Sequence, residues 1–201
     1  MPYRRTPQVQ ARLDAQRAAI LHAADELLAE RGYAGCSVSA VAERARVATG
    51  SVYKHFPGKA ELVVELFRNV VNHEVDAVKA AAAEPGTPAE RVVALFETFA
   101  VRALKAPRRA YALLAEPVDP PVEAERIVFR RVFRDVAAEH IREGVRAGLL
   151  PPQDSVLTAA ALVGAATEVL IGPLTTDHTG AVAELRTFVL RALGGSDARH
   201  A

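Results

Sequence analysis

The sequence VSAVAERARVATGSVYKHF, residues 38–56, contains two short segments with the apolar spacing of helices. Each is too short to be a stable helix alone, so the two must pack on each other. The apolar positions expected to face inward are Val41, Ala42, Ala45, Val47, Val52 and Phe56. Small Ala42 permits a close crossing, and Val47 in the turn fills the gap between the helices. The pattern predicts helices at about 38–45 and 49–56 in a helix-turn-helix.

The outward face of the second helix is typical of a surface that enters the major groove of DNA. It presents Thr49, Gly50, Ser51, Tyr53, Lys54 and His55. The small residues come first, which lets the helix N-terminus and its free N–H groups approach phosphates. The longer side chains that follow reach phosphates or base edges. We predict that all six contact double-stranded DNA, since Gly50 in particular has no use in an ordinary core helix.

Charge is distributed unevenly along the 201 residues, although the net charge is only +1. Residues 1–59 hold nine Lys and Arg against five Asp and Glu, whereas the remainder holds 16 against 19. Lys and Arg supply affinity for nucleic acid because they displace counterions from the phosphates. A basic N-terminal segment on a slightly acidic body agrees with a DNA-binding head, although ordinary solvated helices often carry similar charge.

The rest of the chain is predicted to be helical as well. Ala, Leu, Arg and Glu are abundant, apolar residues recur at intervals of three and four, and the 12 prolines lie outside the middles of the periodic segments. Thr87, Pro88 and Glu90 form the signature of a helix start with a capping box. The other predicted helices are about 11–31 (ended by Gly32), 59–84, 88–106, 108–115, 122–146, 155–171 and 181–193. The predicted fold class is all-α, with about nine helices and a three-helix DNA-binding head at the N-terminus.

The stretch ERGYAGCSVSAVAERARVATGSVYKHFPGKAEL ends at Leu62 and resembles the TetR family of bacterial transcriptional regulators, with close similarity from Leu27 onward. Several independent elements occur in order: the turn spacing, the small residues that open the second helix, residues 53–56, and a break followed by residues 59–62. The resemblance implies a sequence-specific DNA-binding transcriptional regulator, usually a repressor that a small ligand releases from DNA. It implies no cofactor.

The resemblance also assigns roles to individual residues. In the family a Tyr and the residue two places later lie on the recognition helix, and here these are Tyr53 and His55. A Lys beyond that helix and the Ser or Thr that opens the preceding helix contact phosphates in the family. The corresponding residues are Lys59 and Ser37, which join the expected DNA-binding residues.

Two positions depart from the family's pattern. Arg46 stands where the family usually has Gly, and Ala48 stands where it usually has a capping Ser. If Arg46 adopts a left-handed conformation, it costs about 1 kcal/mol relative to Gly. The missing Ser cap costs about 1 kcal/mol unless Thr49 takes over that role. We expect both to weaken the local geometry without changing the fold.

The resemblance further implies an organisation for the whole chain. We expect a flexible N-terminal arm at 1–10, a helix-turn-helix domain at 11–58, a ligand-binding and dimerisation domain at 59–194 and a disordered tail at 195–201. In the family the last two long helices form the interface of a homodimer that binds an inverted-repeat operator. The corresponding segments are 155–171, which contains the small residues Ala161, Gly164, Ala165 and Ala166, and 181–193. The protein is expected in the cytoplasm.

A ligand pocket is predicted among the helices between residues 87 and 146, where aromatic residues can form its walls. The candidate ligand-binding residues are Phe96, Phe99, Tyr111, Phe129, Phe133 and His140. Such walls favour a mostly apolar ligand. The alternative for each aromatic residue is that it simply fills the core, and for His140 that it is a buried, hydrogen-bonded histidine.

Other classes of protein are disfavoured by the sequence. We find no nucleophile elbow, phosphate-binding Gly loop or paired carboxylates, and we predict no catalytic residue and no enzyme. His73 and Glu74 begin like a zinc-binding helix, but Ala77 stands where the second His must be, so no metal site is predicted. No apolar stretch is long enough to span a membrane. A helical adaptor that binds only protein does not explain residues 53–62.

Two further features leave alternatives open. The single Cys36 cannot form an intramolecular disulfide. Its position just before a helix start allows either simple packing or a redox switch, since a helix N-terminus lowers the pKa of a thiol. Arg4 and Arg5 precede the first helix, where they form either a solvated tail or an arm that enters the minor groove.

Overall fold

The structure, a computed structural model, describes residues 6–171 and 180–194. Within these ranges the chain forms nine α-helices and no strand, which confirms the all-α prediction. The helices are α1 (Pro7–Gly35), α2 (Val38–Arg44), α3 (Thr49–His55), α4 (Lys59–Ala83), α5 (Pro88–Lys105), α6 (Pro107–Leu114), α7 (Pro120–Arg146), α8 (Ser155–Ile171) and α9 (Ala181–Ala192). No helix in the described ranges has the length and apolar character needed to cross a membrane.

Helix α1 differs from its prediction at both ends. It begins at Pro7 rather than near residue 11, because the Thr6 hydroxyl accepts the N–H of Val9 and Pro7 occupies the first helical position. The predicted flexible arm at 1–10 is therefore wrong for residues 7–10. At the other end the helix kinks at Gly32 and resumes as far as Gly35. Arg4 and Arg5 lie outside the described residues, as does the predicted tail at 195–201.

Helices α1, α2 and α3 pack into a three-helix head. Val41 and Ala42 on α2 and Val52 on α3 are buried against the apolar face of α1, and Phe56 closes the cluster after α3 ends. Val47 in the turn packs against the same cluster. The inward face of the helix-turn-helix is therefore as predicted.

The body comprises α4 to α9, and its core is continuous with that of the head. Helix α4 contacts α5 and α7 as well as α1, so one long helix belongs to both parts. The capping box at the start of α5 forms as predicted, with Glu90 N–H donating to the Thr87 hydroxyl and Thr87 N–H to the Glu90 carboxylate. Helix α7 begins at Pro120, two residues before the predicted start, because Pro is tolerated in the first turn.

A buried arginine fixes the corner between α6 and α7. Arg126 is only 5% exposed, and its guanidinium donates to the carbonyls of Ala112, Leu113 and Glu116 at 2.8–3.2 Å. It also contacts the Glu123 carboxylate at 2.5 Å. Burial lowers the pKa of Arg126. The carbonyls at the end of α6 thus gain donors from within the protein, which sets the position of α6 relative to α7.

Candidate DNA-binding and ligand sites

Helix α3 presents an exposed face at its start and centre. Thr49, Gly50, Tyr53 and Lys54 are exposed, and the Tyr53 side chain has the open position needed to reach a duplex. Ser51 is half-buried. Four of the six predicted recognition-helix residues therefore share an accessible surface that no other part of the described chain covers.

His55 is held by the head itself. Its Nε2 lies 3.0 Å from Oε1 of Gln16 on α1, and its ring is half-buried. One residue later, the guanidinium of Arg17 lies 5.1 Å from the centre of the Phe56 ring and pairs with Glu65 on α4. These contacts tie the end of α3 to α1 and α4, so His55 helps to orient α3.

The two residues expected to contact phosphates also have structural partners. The Ser37 hydroxyl accepts the N–H of Ala40 at 3.2 Å and so caps α2. The ammonium of Lys59, at the start of α4, lies 3.8 Å from the centre of the Tyr33 ring. Lys59 is half-buried and keeps donors for a phosphate, since an aromatic face uses none of its directional hydrogen bonds.

The loop between α6 and α7 forms hydrogen bonds with the kink of α1. The Glu116 carboxylate accepts the backbone N–H of Tyr33 at 2.8 Å and that of Ala34 at 3.2 Å. The Tyr33 hydroxyl donates to Asp119. Burial, with this hydrogen bond, raises the pKa of Tyr33. The ring of Tyr33 also contacts the ammonium of Lys59. Tyr33 therefore links Asp119 of the body to Lys59, a candidate phosphate-binding residue.

Helix α6 makes a second set of contacts with α1. Arg108 donates to the carbonyl of Glu30 at 2.5 Å. Arg109 pairs with the Asp25 carboxylate at 3.3 Å. Helix α6 therefore lies between α1 on one side and the interior of the body on the other.

An apolar cleft opens on the interior side of α6. It contains about 430 Å³ of empty space, part of it open to solvent. Its apolar walls include Val70, Val71, Phe99, Ala110, Leu113 and Phe129. Its polar lining consists of Glu74, Arg102 and Arg109. We call this space the α6 cleft.

A second, smaller space lies deeper in the body. It has about 250 Å³ of empty space and is lined by Phe96 and Phe133, together with residues of α8. Phe99, Leu114 and Phe129 line both spaces and form the wall between them. The four phenylalanines of α5 and α7 pack edge-on or tilted, with ring centres 4.7–6.5 Å apart. These packed rings separate the two spaces.

Helices α8 and α9 leave apolar side chains in solvent. Leu157 is 68% exposed and Phe188 45% exposed. On α8 the exposed positions also include Ala160, Ala161 and Gly164, so the surface is apolar and has little relief. Such a face suits close packing of a further helix pair.

Comparison with known proteins identifies the family. The family model described as bacterial regulatory proteins of the tetR family matches residues 20–66, which include all of α2 and α3. The transcriptional repressor KstR2 of Mycobacterium tuberculosis is 26% identical over 144 residues, which are 68% of this chain and 72% of KstR2. Together these matches support a TetR-family transcriptional regulator, with residues 20–66 matching the family model itself.

Other relatives extend this likeness. The fatty acid metabolism regulator protein of Bacillus subtilis is 32% identical over 73 residues, 36% of this chain and 38% of that relative. The crystal structure of the transcriptional regulator FadR from Bacillus subtilis, in complex with stearoyl-CoA, superposes with a TM-score of 0.77 and 20% identity. That superposition covers 89% of this chain and 98% of FadR, and it shows the same fold.

The two departures from the TetR pattern have the local effects expected from the sequence. Arg46 is left-handed, with φ of 55°, and is the one non-glycine residue with positive φ among those described. Ala48 is the N-cap of α3, and no side chain, that of Thr49 included, caps the helix. The head nevertheless keeps its three-helix packing.

The predicted ligand-binding residues divide into two groups. Phe96, Phe99, Phe129 and Phe133 line one or both of the internal spaces. The prediction of Tyr111 as an aromatic wall is wrong, because its side chain is 43% exposed on the outer face of α6. His140 lines neither space; its Nδ1 lies 3.7 Å from Glu143 and has no hydrogen-bond partner. Sequence reasoning missed Arg102 and Arg109, whose charge gave no hint that they border an apolar cleft.

Cys36 is in the core of this TetR-family head. Its thiol is fully buried, lies 3.8 Å from the carbonyl of Ala24, and has its pKa raised by burial to about 11. A thiol that is protonated and inaccessible reacts slowly with oxidants. Of the two alternatives left open by the sequence, the geometry favours packing.

Proposed function

We propose that this TetR-family protein is a sequence-specific transcriptional repressor that a small, mostly apolar ligand releases from DNA. The observation that carries the proposal is the position of α6, which contacts α1 of the head on one side and borders the α6 cleft on the other. A ligand that fits the cleft better in one arrangement of α6 favours that arrangement by its difference in affinity. In this proposal the protein is not an enzyme and acts in the cytoplasm.

The DNA contacts proposed for each subunit follow from the exposed face of α3. Thr49, Gly50, Tyr53 and Lys54 enter the major groove, with Ser51 and His55 at the edge of that surface. Ser37 and Lys59 contact phosphates at the flanks. Base choice rests on the side chains of α3, whereas Lys54 and Lys59 add affinity that is independent of sequence.

The proposed partner is a second copy of the chain, held through α8 and α9. Their exposed apolar faces supply the surface, and a two-fold axis places the same face of both subunits together. The dimer presents two α3 helices to successive turns of an inverted-repeat operator.

The proposed ligand class includes compounds with a long acyl chain. One relative is named a fatty acid metabolism regulator, and the FadR structure is a complex with stearoyl-CoA. In this chain the support is the α6 cleft, whose lining is apolar except for three side chains, and the deeper aromatic space beside it. Together they suit a flexible apolar chain.

The test of function is selection of bound duplexes from a random DNA library, followed by measurement of the affinity of the winner at several salt concentrations. We expect an inverted repeat with half-sites about 34–36 Å apart. Tyr53→Ala is the matched control, because Tyr53 is exposed and its removal leaves the core intact. Enrichment of no sequence, or of the same sequence by Tyr53→Ala, contradicts the proposal.

A further inference from the structure

The polar edge of the α6 cleft is unusually rich in hydrogen-bond donors. Arg102 on α5 and Arg109 on α6 line the cleft together with one carboxylate, that of Glu74 on α4. The other lining residues contribute apolar side chains. A ligand that fills this cleft therefore places one end beside two guanidinium groups.

The donors at this edge are only partly used. Arg102 donates to Glu74 through Nε at 2.5 Å and Nη2 at 3.1 Å, and the side chain of Glu74 is largely buried. Arg109 makes a single contact, from Nη1 to Asp25 at 3.3 Å. Since a guanidinium carries five N–H donors, Arg109 has most of its donors available to a ligand.

Asp25 is a poor partner for Arg109. The distance of 3.3 Å is long for a charge-assisted hydrogen bond, and only one of the two carboxylate oxygens takes part. The other oxygen, Oδ1, is buried without a hydrogen-bond partner. A ligand carboxylate or phosphate offers Arg109 two or more oxygens in bidentate geometry, which is the stronger arrangement.

We propose that the α6 cleft binds an amphipathic acid, with its apolar chain between α4, α5 and α6 and its anionic head on Arg109 and Arg102, and that Arg109 leaves Asp25 when the head binds. The proposal rests on the ligand-released function above and names the ligand class and the contact that it breaks. The head is a carboxylate or a phosphate, and both are recognised by the same two arginines.

The exchange of partners changes the contact between body and head. Asp25 lies on α1, and within the described residues Arg109 is the one ion-pair partner of its carboxylate. When Arg109 leaves, both oxygens of Asp25 lack a partner. The contact of α6 with α1 then loses stability, and α1 carries the helix-turn-helix. This ion pair therefore contributes to the coupling between binding of the acid and binding of DNA, and the coupling is reciprocal.

The first experiment measures binding of four probes with the same 12-carbon chain to the full protein by titration calorimetry, below their micelle concentrations. The probes are dodecanoate, dodecanol, dodecylamine and dodecanoyl-CoA. We expect dodecanoate or dodecanoyl-CoA to bind at least about tenfold more tightly than dodecanol, and dodecylamine to bind worst. Tighter binding of the free acid identifies a carboxylate head, and binding of the thioester alone identifies phosphate. Equal binding of acid and alcohol, or a preference for the amine, overturns the proposal.

Variants test where the anionic group of the ligand binds. Arg109→Gln and Arg102→Gln are each expected to reduce affinity for the acid about tenfold while leaving that for dodecanol unchanged. Arg108→Gln is the matched control on the same helix, because Arg108 does not line the cleft. A second arginine group, Arg130, Arg131 and Arg134, lines a groove between α7 and α8. Loss of acid binding in Arg131→Gln but not in Arg109→Gln places the anionic group of the ligand in that groove and overturns the proposal.

Asp25→Asn distinguishes an exchange of partners from a purely structural role. The variant frees Arg109 in advance, so the acid is expected to bind several-fold more tightly. The effect of the acid on operator affinity is expected to become smaller, because the ion pair that it breaks is already absent. A variant that merely loosens the fold weakens both. Unchanged or weaker acid binding in a folded Asp25→Asn protein contradicts the exchange. Since these measurements of ligand affinity need no DNA, their failure is distinct from a failure to select an operator.

Discussion

Glu116 holds the backbone of Tyr33, with its carboxylate 2.8 Å from the Tyr33 N–H. The peptide groups at this point are free for the contact because Gly32 breaks the hydrogen-bond pattern of α1. Glu116 lies in the segment between α6 and α7, which follows directly from the helix that borders the α6 cleft. The kink of α1 is thus a binding site for a carboxylate of the body, and it connects the two parts of the molecule.

The kink predicts a strong effect of Gly32→Ala on stability. Gly32 has φ of 69° and ψ of −172°, a region that is essentially restricted to glycine, and an added Cβ lies 2.7 Å from Oε2 of Glu116. We expect the free energy of unfolding to fall by about 1–3 kcal/mol. Urea denaturation followed by circular dichroism measures it. A variant as stable as the parent shows that the kink is not required.

Gly50→Ala is expected to reduce operator affinity without reducing stability. An added Cβ at Gly50 has no atom within 4 Å, and the residue is helical, so stability is unchanged or rises by up to about 1 kcal/mol. Operator affinity is expected to fall, because the methyl group projects from the first turn of α3 toward the duplex. Urea denaturation and a DNA-binding titration are made on the same sample. Unchanged affinity removes Gly50 from the proposed interface.

The uncapped start of α3 predicts a simple stabilising change. Ala48 is in the extended conformation of an N-cap and has no side-chain acceptor, so Ala48→Ser is expected to raise the free energy of unfolding by about 1 kcal/mol. Arg46→Gly relieves the left-handed conformation and is expected to add about another 1 kcal/mol. The double variant is then the more stable by about the sum, unless the neighbouring sites interact. Thermal unfolding of the four proteins tests this, and a destabilised Ala48→Ser contradicts it.

The head could be predicted from the sequence because its signals are local. The spacing of apolar residues in α2 and α3, the Ser37 cap and the positive φ of Arg46 all depend on neighbours in the chain. The links between head and body could not be predicted in this way. Glu116 meets Tyr33 across 83 positions of sequence, and Arg109 meets Asp25 across 84. Only the packing of α6 on α1 brings such pairs together.

One missed residue did leave a signal. Arg126 occupies a core position on α7, between Val122 and Phe129, where the helical spacing calls for an apolar side chain. A charge in an apolar stripe indicates a buried group with specific partners. The carbonyls that it satisfies, at the end of α6, nevertheless depend on the fold. The start of α1 was also readable, since Thr6 and Pro7 are the residues of an N-cap and a first turn.

The exposed face of α8 predicts the oligomeric state of variants. Leu157→Arg places a charge in the proposed dimer interface and is expected to shift the protein to a monomer at micromolar concentration, with loss of operator binding. Leu149→Arg is the matched control, because Leu149 is 61% exposed and belongs to the turn after α7 rather than to α8 or α9. Analytical ultracentrifugation measures both variants. A dimeric Leu157→Arg protein moves the interface elsewhere.

The buried thiol and phenol predict a loss of stability at alkaline pH. Burial raises the pKa of Cys36 from 9 to about 11, and it also raises that of Tyr33, whose hydroxyl donates to Asp119. A group with a higher pKa in the folded protein stabilises it below the unfolded pKa, and that contribution is lost as pH rises through the folded pKa. The free energy of unfolding is therefore expected to fall by roughly 2 kcal/mol or more between pH 9 and 11.

Two variants separate the contributions to this pH dependence. Cys36→Ala removes the part due to the thiol, and Tyr33→Phe removes the part due to the phenol, so each is expected to flatten the decline in the free energy of unfolding between pH 9 and 11. Urea denaturation at half-unit intervals of pH measures the slopes. In the parent, alkylation of Cys36 at pH 8 should require unfolding, since about one thiol in a thousand is ionised at a pKa of 11. A slope that is the same in all three proteins assigns the alkaline transition to other groups and contradicts the burial argument.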